Sequence, residues 1–182
     1  MSERVVWKAY ADFENEERWL NEMAANGWEM TGYSWCRYTF SEGLPKRYTY
    51  RIQLLEDAAS SPKSREYLDF LADAGMEVVA TYNRWIYIRK IADGQPFDLF
   101  SDRDSRVAHH KRVAALFGVF FAAQIPLVVV SIKSAVTQIQ ESVFFGVPLA
   151  VVHVALVVLL GGVALRQYLS VRRLEKDALV HE

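Results

Sequence analysis

Two runs of residues constrain this chain more than anything else in it. Residues 113–132 (VAALFGVFFAAQIPLVVVSI) and 143–165 (VFFGVPLAVVHVALVVLLGGVAL) contain no formal charge. At 1.5 Å per residue each run covers about 30 Å, the hydrocarbon thickness of a bilayer. Helices apolar on every face can otherwise exist only inside a large protein, and the rest of this 182-residue chain is too small to enclose them. The runs are therefore read as a transmembrane hairpin spanning residues 113–166.

The flanks orient it. Arg103, Arg106, His109, His110, Lys111 and Arg112 precede the first run, and Arg166, Arg172, Arg173 and Lys176 follow the second. The connection, residues 133–142, offers only Lys133, offset by Glu141. Basic residues stay on the cytoplasmic side, so both termini are expected there and the loop outside. Arg106, Lys111, Arg112, Arg166, Arg172 and Arg173 are the expected lipid headgroup contacts, and His109 and His110 join the same basic collar. Residues 1–7 lack the basic and apolar regions of a signal peptide, so the N-terminal region is expected to stay where it is made. The location that follows is a bacterial inner membrane, crossed more than once.

Gln124 and His153 interrupt the apolar runs at nearly equal distances from their cytoplasmic ends. In an antiparallel hairpin both lie roughly 17 Å deep, so they are expected to face one another and share a hydrogen bond. A proton or ligand site is the alternative for an ionisable residue in a membrane. Pro126 and Pro148 are tolerated in membrane helices and predict local bends.

The first 92 residues hold an internal repeat. Residues 17–30 (ERWLNEMAANGWEM) reappear as residues 65–78 (REYLDFLADAGMEV), with Leu20/Leu68, Ala24/Ala72, Gly27/Gly75 and Glu29/Glu77 identical. Leu20, Met23 and Ala24 make one apolar helical stripe. Gly27 and Gly75 fall where a left-handed residue ends a helix, and Ser61-Pro62 reads as an N-cap with proline in the first turn. Runs rich in Val, Ile, Thr, Tyr and Trp surround each helix, at residues 5–10, 30–35 and 37–40, then 47–55, 78–82 and 85–90. The fold class is α+β: a tandem β-α-β-β repeat giving one antiparallel sheet with two helices on one face, ferredoxin-like in spirit. The expected boundaries are a domain over 1–92, a linker and basic juxtamembrane segment over 93–112, the hairpin, and a cytosolic tail over 167–182.

Residues Phe13, Glu17, Trp19-Leu20-Asn21, Met23-Ala24 and Gly27-Trp28, with Tyr38-Thr39-Phe40 and Tyr48 to Ile52 after them, resemble the bacterial family called domain of unknown function 2812. The resemblance covers about residues 5–90, and in the second repeat Met76 replaces the tryptophan of Trp28. It implies a cytosolic domain joined to membrane helices and often encoded beside a PadR-like transcriptional regulator. It brings no catalytic residues with it.

The residues themselves predict no enzyme. No histidine precedes His109, which removes Ser-His and Cys-His pairs and histidine metal sites from the domain. Asp12, Glu14, Glu16 and Glu17 favour a helix dipole. Cys36 reads as an inert strand residue, and no glycine-rich phosphate loop is present. No cofactor or metal is expected. A net charge of -1 gives no footprint for nucleic acid.

All five tryptophans precede residue 90. If Ile86 and Ile88 face the helices, the pleat puts Trp85 and Tyr87 on an open face, where Arg37, Thr39, Thr49 and Arg51 join them. Trp85, Tyr87, Arg37, Arg51 and Thr49 are therefore the candidate ligand- or partner-binding residues. The functional expectation is a membrane-anchored regulatory or sensory protein binding a ligand or a partner such as a PadR-like regulator. The alternatives are an assembly subunit of a membrane complex or homodimer and, behind it, an enzyme acting on membrane substrates.

Overall fold

A computed structural model describes residues 2–95, 97, 99, 103–140 and 146–179. The chain divides into two compact units, Met1–Ser101 and Asp102–Glu182.

In the first unit the elements run β1 (Glu3–Trp7), α1 (Phe13–Ala25), β2 (Trp28–Ser34), β3 (Arg37–Glu42), β4 (Tyr48–Leu54), α2 (Pro62–Asp73), β5 (Met76–Tyr82) and β6 (Trp85–Ile91). The helix ends follow local chemistry. Asp12 caps α1 by accepting from Glu14 N, and Ser61 caps α2 by accepting from Ser64 N, each at 3.1 Å. Pro62 opens α2, and Gly27 (φ +82°) and Gly75 (φ +75°) follow the two helices in the left-handed conformation. Strand β1 stops at Trp7, short of the expected Tyr10.

The tandem β-α-β-β architecture is present, but the expected single sheet is two. Sheet A has the order β1-β3-β2 and sheet B the order β4-β6-β5, all neighbours antiparallel. In each repeat the helix joins two parallel outer strands, and the last strand inserts between them. The likeness extends to a register shift in the strand after each helix, between Met30 and Gly32 and between Val78 and Ala80. Helix α1 takes the free edge of β4: Asn21 bonds the Tyr50 backbone and Glu17 accepts from Ile52 N. One core joins Leu20, Ala24, Met30, Tyr38 and Phe40 of the first repeat to Tyr50, Ile52 and Tyr87 of the second. A second core places Leu71 of α2 against Ile86 and Ile88.

The second unit is a helical hairpin of α3 (Arg103–Gln140) and α4 (Gly146–Leu179). Both helices are long and apolar enough to cross a membrane. Only 6% of the most apolar window of α3 and 11% of that of α4 is buried, the opposite of a soluble core helix. The less exposed positions recur at three- and four-residue steps (117, 121, 124, 128, 131 and 135 on α3), the spacing of a coiled-coil seam. Helix α3 runs through Pro126 and continues over residues 133–140, which had read as the connecting loop. Residues 141–145, including the expected start of the second run, and 180–182 of the expected tail lie outside the described residues.

Candidate functional site

The five residues expected to form one patch do not meet. Cross-strand partners share a face, and Arg51 pairs with Ile88 while Tyr87 pairs with Ile52. Arg51 and Thr49 therefore lie on the α2 side of sheet B, and Trp85 and Tyr87 on the other. That other side is not open, because the first repeat covers it. Tyr87 is only 3% exposed, and Trp85 packs on Phe13 with ring centroids 6.1 Å apart. Half-buried Arg51 is spent inside the domain, on Glu17 at 3.0 Å and the Phe97 carbonyl at 2.6 Å. Ile86 and Ile88 face α2 as the pleat required, but the consequence drawn for Trp85 and Tyr87 fails.

Arg37 does lie on an open sheet face, that of sheet A. It pairs with Trp7, and Thr39 pairs with Val5 and Gly32. A Cβ added at Gly32 would meet nothing within 4 Å. The β2–β3 hairpin turns through Trp35 and Cys36, so Cys36 sits in a turn rather than a strand. Trp7 and Trp35 are 67% and 70% exposed, and Lys8 N–H donates to the Cys36 carbonyl at 2.8 Å. Hence both indoles and Arg37 gather at one end of sheet A, while the Lys8 ammonium lies over Tyr10 and Trp19 on the α1 side.

On the far side of sheet B, α2 presents a second surface. Pro62, Arg65, Glu66, Asp69, Phe70 and Asp73 make up its open outer face. Glu66, Asp69 and Asp73 share a helical face with Phe70, which is 62% exposed. Phe70 interrupts the alternation of half-buried Leu68 and buried Leu71 with polar positions, and that interruption was its only signal in the sequence.

Glu16, expected to serve the helix dipole, instead forms a buried polar cluster. Its Oε1 accepts from Tyr38 OH at 2.6 Å and Tyr87 OH at 2.7 Å, joining the repeats. The Tyr33 ring packs on both, at 4.8 and 4.6 Å. Burial pushes the Glu16 carboxyl above its ordinary value, and the two hydroxyls pull it partly back. Burial and then the Glu16 charge push both tyrosines up. The group is sequestered, so its chemistry is that of an internal lock.

In the hairpin, His109 and His110 turn inward rather than serving the basic collar. Both are buried, and His110 Nδ1 lies 2.7 Å from Gln167 Oε1. Lys111, Arg166, Arg172 and Arg173 are exposed, and Arg106 and Arg112 half-buried. Gln124 and His153 both fall in the seam, but their expected hydrogen bond is not formed: Gln124 Oε1 and His153 Nδ1 are buried without partners among the described residues. Elsewhere in the seam Phe121 lies over Gly161 and Gly146 N–H donates to Gln138 Oε1. Among the described residues no group of three or more His, Cys, Asp or Glu is arranged to hold a metal.

Two split β-α-β repeats followed by an apolar helical hairpin define the class: an α+β domain on a candidate membrane anchor. The chain belongs to the family described as protein of unknown function, DUF2812, whose model matches residues 12–122. The match begins at the N-cap of α1 and ends inside the first apolar run, further along the chain than the resemblance over residues 5–90 reached. No curated protein and no solved structure matches the chain.

Proposed function

We propose that this chain is a membrane-anchored regulatory protein whose N-terminal domain binds a basic protein partner on the outer face of α2. The observation that carries this reading is Phe70, exposed beside Glu66, Asp69 and Asp73 on one helical face. An aromatic anchor ringed by charge is the usual composition of a binding hot spot. An acidic face suits a partner whose own surface is basic, as that of a DNA-binding protein is. The PadR-like transcriptional regulator implied by the family resemblance is such a partner. The hairpin holds the domain at a bacterial inner membrane, with both termini on the cytoplasmic side set by Arg103, Arg106, Lys111, Arg112, Arg166, Arg172 and Arg173.

Crosslinked pull-down of the full chain from native membranes, read by mass spectrometry, tests the reading. Recovery of a soluble regulator that is lost with Phe70→Ala and with Asp69→Lys supports it. Recovery unaffected by both changes counts against the α2 face.

The second reading is an assembly subunit, favoured by the unpartnered Gln124 Oε1 and His153 Nδ1 in the seam, which another membrane helix could satisfy. Membrane proteins recovered by the hairpin alone would favour it. An enzyme has the least support, and a cofactor retained through purification would revive it.

A further inference from the structure

The β2–β3 hairpin closes through Trp35 (φ 42°) and Cys36 (φ 59°). A two-residue turn with both central residues at positive φ is the type that favours Asn-Gly, because side chains with a Cβ are strained there. The second repeat puts asparagine first in its β5–β6 turn, Asn83 at φ 54°, and only that residue of the pair has positive φ. The first repeat puts tryptophan at the same place and leaves it 70% exposed, so no packing inside the domain offsets the strain. Backbone strain held at an exposed turn marks a residue used outside the domain.

The surroundings indicate what it meets. Trp7, 67% exposed, pairs across the strands with exposed Arg37, while the Lys8 ammonium turns to the other face, over the Tyr10 and Trp19 rings at 4.8 and 4.7 Å. Neither residues 4–10 nor residues 33–38, which build this end of the sheet, include an acid. Two exposed indoles with the Arg37 guanidinium on their face match the headgroup region of an anionic bilayer, where tryptophan rings settle and basic side chains meet phosphate.

The chain supplies the proximity. Strand β6 ends at Ile91 and α3 begins at Arg103, so the intervening segment reaches at most about 40 Å. Tethering at that distance makes a weak lipid contact effective.

We infer that the Trp35 turn, with Trp7 and Arg37, docks the N-terminal domain on an anionic lipid surface. This rests on the proposal that α3 and α4 span the membrane, and on nothing about the partner of α2.

The test uses the full chain in vesicles of phosphatidylcholine with about one-third phosphatidylglycerol, part of it brominated in the acyl chains near the headgroup. All five tryptophans lie in the domain, so bromine quenching of their fluorescence reads its approach to lipid. Trp35→Asn installs the residue type the second repeat uses and relieves the turn, so the fold is retained. Wild-type protein is expected to be quenched, and the quenching to be roughly halved by Trp35→Asn, again by Trp7→Thr, and by omitting the anionic lipid. Quenching that is absent, or indifferent to both substitutions, overturns the docking. Flotation of the same vesicles after an alkaline wash reads the anchor separately. Protein that floats but is not quenched sinks the docking alone; protein that does not float sinks the membrane reading with it.

Discussion

Asn21 on α1 and Tyr50 on β4 exchange two hydrogen bonds: the side-chain amide donates to the Tyr50 carbonyl at 3.0 Å, and Tyr50 N–H donates to Oδ1 at 2.8 Å. One side chain thus treats the edge of β4 as a neighbouring strand would, and Glu17 continues the pairing at Ile52 N, 3.0 Å away. An edge closed in this way is not free to pair with another chain. Asn21→Ala is expected to destabilise the domain by about 1–3 kcal/mol, because it leaves buried backbone groups unpaired. The repeat supplies its own control. Asp69 holds the equivalent place on α2 but faces solvent, so Asp69→Ala should stay within about 0.5 kcal/mol. Urea unfolding of the full chain in detergent, followed by tryptophan fluorescence, reads the domain alone.

Glu16 predicts a pH dependence. Burial raises its folded carboxyl above the unfolded value, so the folded state holds more protons than the unfolded state between those two values. Stability therefore falls as pH rises through that window and is level above it. Glu17 acts in the same direction, raised by burial against the pull of Arg51. Glu16→Gln keeps an acceptor for the tyrosines and removes one titration. The urea midpoint should then vary less with pH, and at neutral pH should match or exceed wild type. Glu16→Ala leaves the Tyr38 and Tyr87 hydroxyls without their acceptor, at about 1–3 kcal/mol each. A Gln variant as unstable as the Ala variant would show that the charge itself holds the cluster.

The repeat, its helix caps and the apolar hairpin were legible because each is written in local spacing: Ser61-Pro62, the glycines at 27 and 75, and uninterrupted apolar runs. The division into two sheets was not, because alternation marks strands without saying which edges pair, and the edge of β4 is closed by a side chain, Asn21, 29 residues away. Nor was the fate of Trp85 and Tyr87. Alternation assigns them to one face but cannot say that the first repeat covers that face. Cys36 was read as strand because a Trp-Cys pair does not look like a turn, and runs over 30–35 and 37–40 leave only one residue between them. Gln124 and His153 were placed by depth, and depth does not fix the register of a seam.

The two helix-ending glycines separate backbone strain from crowding. Both have left-handed φ, so alanine at either costs about 1–2 kcal/mol from conformation alone. A Cβ at Gly75 meets nothing within 4 Å, whereas at Gly27 it would stand 3.1 Å from the Gly43 carbonyl oxygen and 3.4 Å from Pro45. Gly27→Ala is therefore expected to be the more damaging in the same urea assay. Equal losses would show that the Gly43–Pro45 loop moves aside at negligible cost.

The hairpin seam makes opposite predictions for polar residues that look alike in the sequence. Among the described residues Gln124 Oε1 and His153 Nδ1 are buried without partners, and leucine at either position replaces an unsatisfied polar atom with apolar contact. Gln124→Leu and His153→Leu should leave the hairpin as stable as wild type or more so. Gln167 differs, because its Oε1 lies 2.7 Å from the buried His110 ring. Gln167→Leu should weaken the hairpin, by about 0.6 kcal/mol if it behaves as an average interhelical bond in a membrane. Titrating the protein from mild detergent into dodecyl sulfate, with a fluorescent donor and acceptor near residues 106 and 172, measures helix separation directly. A shift to earlier separation with Gln124→Leu would mean that the Gln124 side chain does bond across the seam. It would bring the depth-matched pairing with His153 back into contention, and it would remove the vacancy on which the assembly-subunit reading leans.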